Sequence, residues 1–135
     1  MKKLIIILFL INFSNLHSSD IKFEKLFDDL NKPWSLSFID KRNVLITEKT
    51  GKLISLNLEN KNLNVIQHNL SLLSSGQGGL LDVLFDNNQV YISYSENRGK
   101  GKSSTTVASA IFDDENLKFN NIFRAEPPIN SGYHF

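Results

Sequence analysis

The sequence predicts an all-β protein of the β-propeller type, and three observations carry that expectation. Past Asp20 the chain breaks into short apolar alternations separated by Asp, Asn, Lys and Gly, the pattern of strands joined by tight turns. The alternations fall into two successive groups of four with similar internal order, so that Phe38-Ile39-Asp40 in the first answers Leu84-Phe85-Asp86 in the second, roughly one propeller blade later. No segment carries the apolar stripe of an amphipathic helix. A two-sheet sandwich also uses short strands with turn signals. The repeat favours the propeller.

The first residues, 1–19, have the layout of a secretory signal peptide: Lys2-Lys3, an apolar run from Leu4 to Phe13, then small and polar residues. The apolar run is about half the roughly 20 residues that a membrane span needs, so stable membrane insertion is not expected. Residues 20–135 then form an exported chain, periplasmic or secreted. It contains no Cys and would fold there without disulfides. With 15 basic and 14 acidic residues the net charge is +1, which gives no reason to expect nucleic acid as a partner.

Ile21 to Phe27 (IKFEKLF) reads as a lone strand ahead of the first group, with Ile21, Phe23 and Phe27 on one face. A propeller needs such a strand where the start of the chain completes the last blade. The first group comprises Ser35 to Asp40, Asn43 to Glu48, Lys52 to Leu58 and Leu63 to Gln67, joined by hairpin-sized connectors. The second comprises Leu80 to Phe85, Gln89 to Ser95, Thr105 to Phe112 and Leu117 to Arg124. Two blades cannot close a ring, because propellers have four or more. Residues 20–135 are therefore expected to be the N-terminal part of a β-propeller domain, ending where a third blade begins.

In a propeller the connections from each outer strand to the next inner strand lie on one face of the ring. Three such corners are legible: Pro33-Trp34, Gly76-Gln77-Gly78-Gly79 and Ser131-Gly132-Tyr133-His134. Glycines permit a sharp turn and close approach of another group. Gln77 is expected at the channel mouth beside Trp34 and His134. Each has a plainer role: Trp34 as a plug at the core edge, Gln77 as a cap on free strand ends, His134 as a structural histidine. Their placement on one face raises the functional reading, and a histidine can serve as general base near neutral pH.

Other motifs carry no chemistry. Gly99-Lys-Gly-Lys-Ser103 has Glu96 where a phosphate loop needs its first glycine, and reads as a solvated hairpin tip. Asp113-Asp-Glu-Asn116 lacks the glycine and distal Glu of a calcium loop and reads as a turn. Asn69-Leu-Ser71 is a weak glycosylation sequon, and His68 and His17 have no evident partners.

Pro33-Trp34-Ser35, Thr47-Glu48 with Gly51-Lys52-Leu53, Gly76-Gln-Gly-Gly-Leu-Leu-Asp-Val83, Tyr91-Ile-Ser-Tyr94 and Ser131-Gly-Tyr-His-Phe135 together resemble the soluble glucose/sorbosone dehydrogenase family, in order and with similar spacing. The glycine-glutamine block is the most specific part. The resemblance implies an exported six-bladed propeller that oxidises aldose sugars with pyrroloquinoline quinone (PQQ) and calcium. It matches His134 to the catalytic base that takes the proton from the anomeric hydroxyl, and Gln77 to the glutamine beside quinone and sugar. In the best-studied glucose oxidisers an Asp precedes the catalytic histidine, whereas Tyr133 stands here, a departure that bears on glucose specificity. The PQQ anchors and calcium ligands are expected in later blades, with no metal ligand in this stretch, and the stretch alone is expected to be inactive. The electron acceptor and the particular sugar are not specified. A non-catalytic propeller binding carbohydrate or protein is the first alternative. A calcium-dependent lactonase-type hydrolase is the second; it requires inward carboxylates, for which Glu48 is the candidate.

Overall fold

The structure, a computed structural model, describes residues 21–133. The signal peptide assigned to residues 1–19, and His134, lie outside the described residues. Two sheets account for the strands. The first is an antiparallel meander of β1 (Pro33–Phe38), β2 (Asn43–Glu48), β3 (Leu53–Asn57) and β4 (Leu63–His68). The second begins with β5 (Leu80–Asp86), β6 (Gln89–Asn97) and β7 (Ser103–Ile111). A two-residue strand, β8 (Asn116–Leu117), then joins the first sheet alongside β4, and β9 (Asn120–Arg124) completes the second. These are two successive blades of a β-propeller.

Local chemistry explains the turns. Asp40 Oδ1 accepts the N–H groups of Arg42 (2.7 Å) and Asn43 (2.9 Å), closing the β1–β2 hairpin. Asn87 and Asn88, with φ of 47° and 64°, form the two-residue hairpin between β5 and β6, where asparagine tolerates left-handed backbone. Asp113 Oδ1 accepts the N–H groups of Glu115 and Asn116, so the acidic stretch is the expected turn. Gly99, Lys100 and Gly101 all have positive φ and form the expected hairpin tip.

The main core lies between the blades. Leu45, Leu53 and Ile66 meet Leu80, Val83, Val90, Ile92, Tyr94 and Ala108, and Val90, Ile92 and Tyr94 share a face because strand side chains alternate. Burial of each large aliphatic contributes about 1.5–3 kcal/mol. Polar ties reinforce the packing: Thr47 Oγ1 donates to Leu81 O (2.5 Å), Phe85 N–H to Ser37 Oγ (2.9 Å), and Ser35 Oγ bonds Asp82 Oδ1. The far face of the first sheet carries a second cluster, Val44, Ile46, Ile54 and Leu56.

Two expected elements differ. Ile21 to Phe27 is not a strand: the segment has no regular structure, and Ile21 and Phe23 are exposed. A strand needs a sheet edge to pair with, and neither of the two described sheets pairs with this segment. Phe27 and Leu30 instead lie against the second cluster. The run from Leu117 to Arg124 is two strands in two sheets. Leu117 and Phe119 both enter the inter-blade core, and the Asn69 side chain holds the break by accepting Phe119 N–H (2.8 Å) and donating to Phe119 O (3.1 Å). The sequon asparagine is thus committed to a structural clasp. His68 has a partner too, its Nε2 lying 2.8 Å from Gly51 O.

Candidate functional site

The site is best built from the end of β2, where Thr47-Glu48-Lys49 leaves the sheet. Lys49 N–H donates to Lys32 O (3.0 Å), immediately before the Pro33-Trp34 corner. Lys49 O accepts Leu80 N–H (3.2 Å) and Ser74 Oγ–H (3.3 Å), reaching both sides of the glycine turn. Its ammonium bonds Gly76 O and lies 5.8 Å from the centre of the Trp34 ring. A cation over an indole face contributes about 0.5–1 kcal/mol at exposed sites.

The glycine turn is fixed from two directions. Gln77 N–H donates to Gly132 O (2.6 Å), and Gly78 N–H to Ser75 O (2.8 Å). Gly79 N–H donates to Ser95 Oγ (2.5 Å), while Ser95 N–H returns to Gly79 O (2.9 Å). Gly76 has φ 55° and Gly79 φ 150°; a Cβ on the first would overlap Gly132 O, and on the second Lys49 O. Only glycine fits at either place. Gly78 and Gly79 are buried while Gln77 is exposed, so the turn presents one amide side chain from a clamped backbone.

The three corners expected to share one face therefore do meet: Gly76-Gln77 touches Gly132, and Lys49 ties that turn to Trp34. Trp34 departs from expectation. It is 52% exposed and does not plug the core edge, because the inter-blade core is filled by Leu80, Tyr94 and their neighbours. Tyr133 is also exposed. His134 lies outside the described residues.

Two carboxylates were less legible. Glu48, the carboxylate that a lactonase-type site would need, is 1% exposed and turned into the far face of the first sheet, where its Oε1 accepts Asn31 N–H (2.6 Å). Its Oε2 has no hydrogen-bond partner; Lys52 Nζ stands 4.0 Å away, beyond hydrogen-bond reach. Buried there, Glu48 is not presented as the open carboxylate that the lactonase-type reading needs. Glu96, near the end of β6, is caged. Arg124 grips it bidentately (Nε–Oε2 2.8 Å, Nη2–Oε1 2.8 Å), Thr106 Oγ1 donates to Oε2 (2.9 Å), and Asn121 Nδ2 to Oε1 (3.0 Å). Burial pushes the Glu96 carboxyl up, but hydrogen bonds from Arg124 and Thr106 and the nearby guanidinium charges outweigh it and hold the group below its ordinary value. Burial raises the neighbouring Tyr94 phenol. Among the described residues no three His, Asp or Glu side chains group closely enough to hold a metal ion.

Lys49 is the residue that sequence reasoning missed; its only signal is that it directly follows the Thr47-Glu48 pair. Glu96 had a clearer one, since a hydroxyl residue followed by Glu, as in Thr47-Glu48, recurs as Ser95-Glu96 near the end of the second blade's second strand.

The profile of glucose/sorbosone dehydrogenases matches residues 30–135, which includes all three corners. The chain belongs to the glucose/sorbosone dehydrogenase family. An aldose sugar dehydrogenase of Escherichia coli strain K12 is 33% identical over 125 residues, covering 85% of this chain and 33% of the relative. The soluble aldose sugar dehydrogenase of Escherichia coli, solved in its apo form, superposes with a TM-score of 0.75 at 32% identity, over 83% of this chain and 35% of that one. A crystal structure of a glucose dehydrogenase gives 0.73 at 34% identity, over 78% of this chain and 33% of that one. The chain thus spans about a third of the length of each of these dehydrogenases. Among the described residues no helix is long and apolar enough to cross a membrane.

Proposed function

We propose that the protein carrying this chain is an exported oxidoreductase that oxidises aldose sugars with PQQ and calcium, and that these two blades build one side of its channel mouth. The observation that supports this most is the meeting of Trp34, the Gly76–Gly79 turn and Gly132 at one end of two propeller blades, in a member of this dehydrogenase family. A clamped turn that projects one amide fits a hydrogen-bonding contact to a quinone or a sugar hydroxyl. PQQ, when bound, would supply the hydride-accepting carbonyl, with calcium as the Lewis acid beside it. Gln77 would orient the sugar and the quinone edge. His134 would take the proton from the anomeric hydroxyl. The calcium ligands are assigned to other blades.

The test is steady-state oxidation of several aldoses by the whole protein, reconstituted with PQQ and calcium. His134→Ala should lower kcat roughly 10²–10⁴-fold, the usual worth of a positioned general base. Gln77→Ala should lose about 1–3 kcal/mol, shared between KM and kcat, because it removes a neutral hydrogen-bonding group. Near-wild-type turnover by His134→Ala would overturn the catalytic reading and leave a carbohydrate-binding propeller in its place.

A further inference from the structure

We propose that Lys49 is a positioning residue whose ammonium sets the Gly76-Gln77 peptide, and with it the direction of the Gln77 side chain, against the Trp34 corner. The proposal rests on Gln77 being a site residue. The geometry, however, is independent of any ligand. The peptide unit linking residues 76 and 77 has two polar ends, and each is held by a different part of the molecule. Its carbonyl, Gly76 O, accepts the Lys49 ammonium from the first blade. Its N–H donates to Gly132 O (2.6 Å), beyond the second blade. Rotation of this peptide plane would break both bonds, and because the following peptide is also held, its Gly78 N–H on Ser75 O (2.8 Å), the Cα–Cβ direction of Gln77 follows from the two together.

Three features assign this role to the ammonium in particular. Lys49 takes part in none of the ion pairs among the described residues, so its charge is directed to a carbonyl dipole and an indole face instead of a carboxylate. Gly76 has φ 55°, a conformation with little intrinsic preference that needs an outside contact to select it. The lysine backbone is itself immobilised, its N–H on Lys32 O and its carbonyl on Leu80 N–H, so the side chain starts from a rigid base. Because Gly76 and Gln77 are exposed, water can satisfy the freed carbonyl if the ammonium is removed. The loss should then be one of local order, not of the fold.

Hydrogen exchange on the whole chain, resolved by mass spectrometry, reads this directly, with emission from Trp34, the single tryptophan, as a second signal. Lys49→Met keeps the aliphatic stem and removes the charge, while Lys49→Arg keeps both the charge and the donors. In Lys49→Met the Gln77 amide should exchange about tenfold faster and the Trp34 emission should shift, with β2 and β6 unchanged. Lys49→Arg should restore most of the protection. Unchanged Gln77 exchange in Lys49→Met would overturn the proposal. So would equal loosening of Leu45 and Ile92, which marks a general strut, or a failure of Arg to rescue. No cofactor or sugar enters the measurement, so its outcome is separate from that of the oxidation assay.

Discussion

Glu48 and Glu96 both stand near the end of a second strand, each preceded by a hydroxyl residue and each nearly buried, although by register Glu48 answers Tyr94: it pairs with Pro33 of β1 as Tyr94 pairs with Leu80 of β5. Their surroundings differ. Glu96 receives Thr106 from β7 and Asn121 and Arg124 from β9, so its own sheet neutralises it. In the first blade the residues placed relative to Glu48 as Thr106 and Arg124 are to Glu96 are Ile54 and Val65, which pair across β3 and β4 as those two pair across β7 and β9. Neither can donate. Glu48 turns instead to the backbone of Asn31, in the strap that leads into Pro33-Trp34. One carboxylate stabilises a blade; the other holds the approach to a corner. The glycine corner gets nothing from Glu96 and is clamped by Lys49 of the first blade. The end of β2 therefore serves both corners.

The contrast can be broken most severely at Arg124. Arg124→Ala leaves Glu96 buried with only neutral donors and the more distant Arg98, at 3.9 Å. Since Arg124 is half-exposed and water can replace part of it, the expected loss is about 2–3 kcal/mol, read as a lower urea midpoint. Glu96→Gln should cost less, about 1–2 kcal/mol, because the amide still accepts from Thr106. The wild type should also lose stability in acid. The folded Glu96 carboxyl is held below its ordinary value, so its contribution is complete above the unfolded value of about 4.3 and disappears as pH falls through the lower folded value. Glu96→Gln should flatten the pH dependence of unfolding in that window; an unchanged slope would mean that Glu96 is not the group responsible. Glu48→Gln should change stability by about 0.5 kcal/mol or less, since it keeps an acceptor for Asn31 and removes a sparsely paired buried charge. Smallest of all, Val65→Arg offers Glu48 a cation from the position that stands to it as Arg124 stands to Glu96, and should add about 0.3–0.5 kcal/mol.

Much of this was legible in the sequence, for identifiable reasons. Turns were readable because Asp40, Asn87-Asn88 and Asp113 close them with their own side chains or backbone. The glycine corner was readable because Gly76 and Gly79 occupy positions that exclude a Cβ. Ile21 to Phe27 misled because alternation marks a strand face but not the edge it must join. The jump between sheets at Phe119 left the alternation intact, since Leu117 and Phe119 both point into the core; what breaks the strand is Asn69, far away in sequence. Lys49 was invisible for a similar reason, as its ammonium acquires meaning only where folding brings Trp34 and Gly76 to it.

The claim that the two carboxylates do different work is tested most directly by hydrogen exchange on Glu48→Ala and Glu96→Ala, side by side. Glu48→Ala should accelerate the Asn31 amide about tenfold, consistent with the loss of one charge-assisted hydrogen bond, and leave β6 and β7 nearly as protected as before. Glu96→Ala should accelerate exchange across β6, β7 and β9 and leave Asn31 unaffected. Indistinguishable exchange patterns from the two variants would contradict the account.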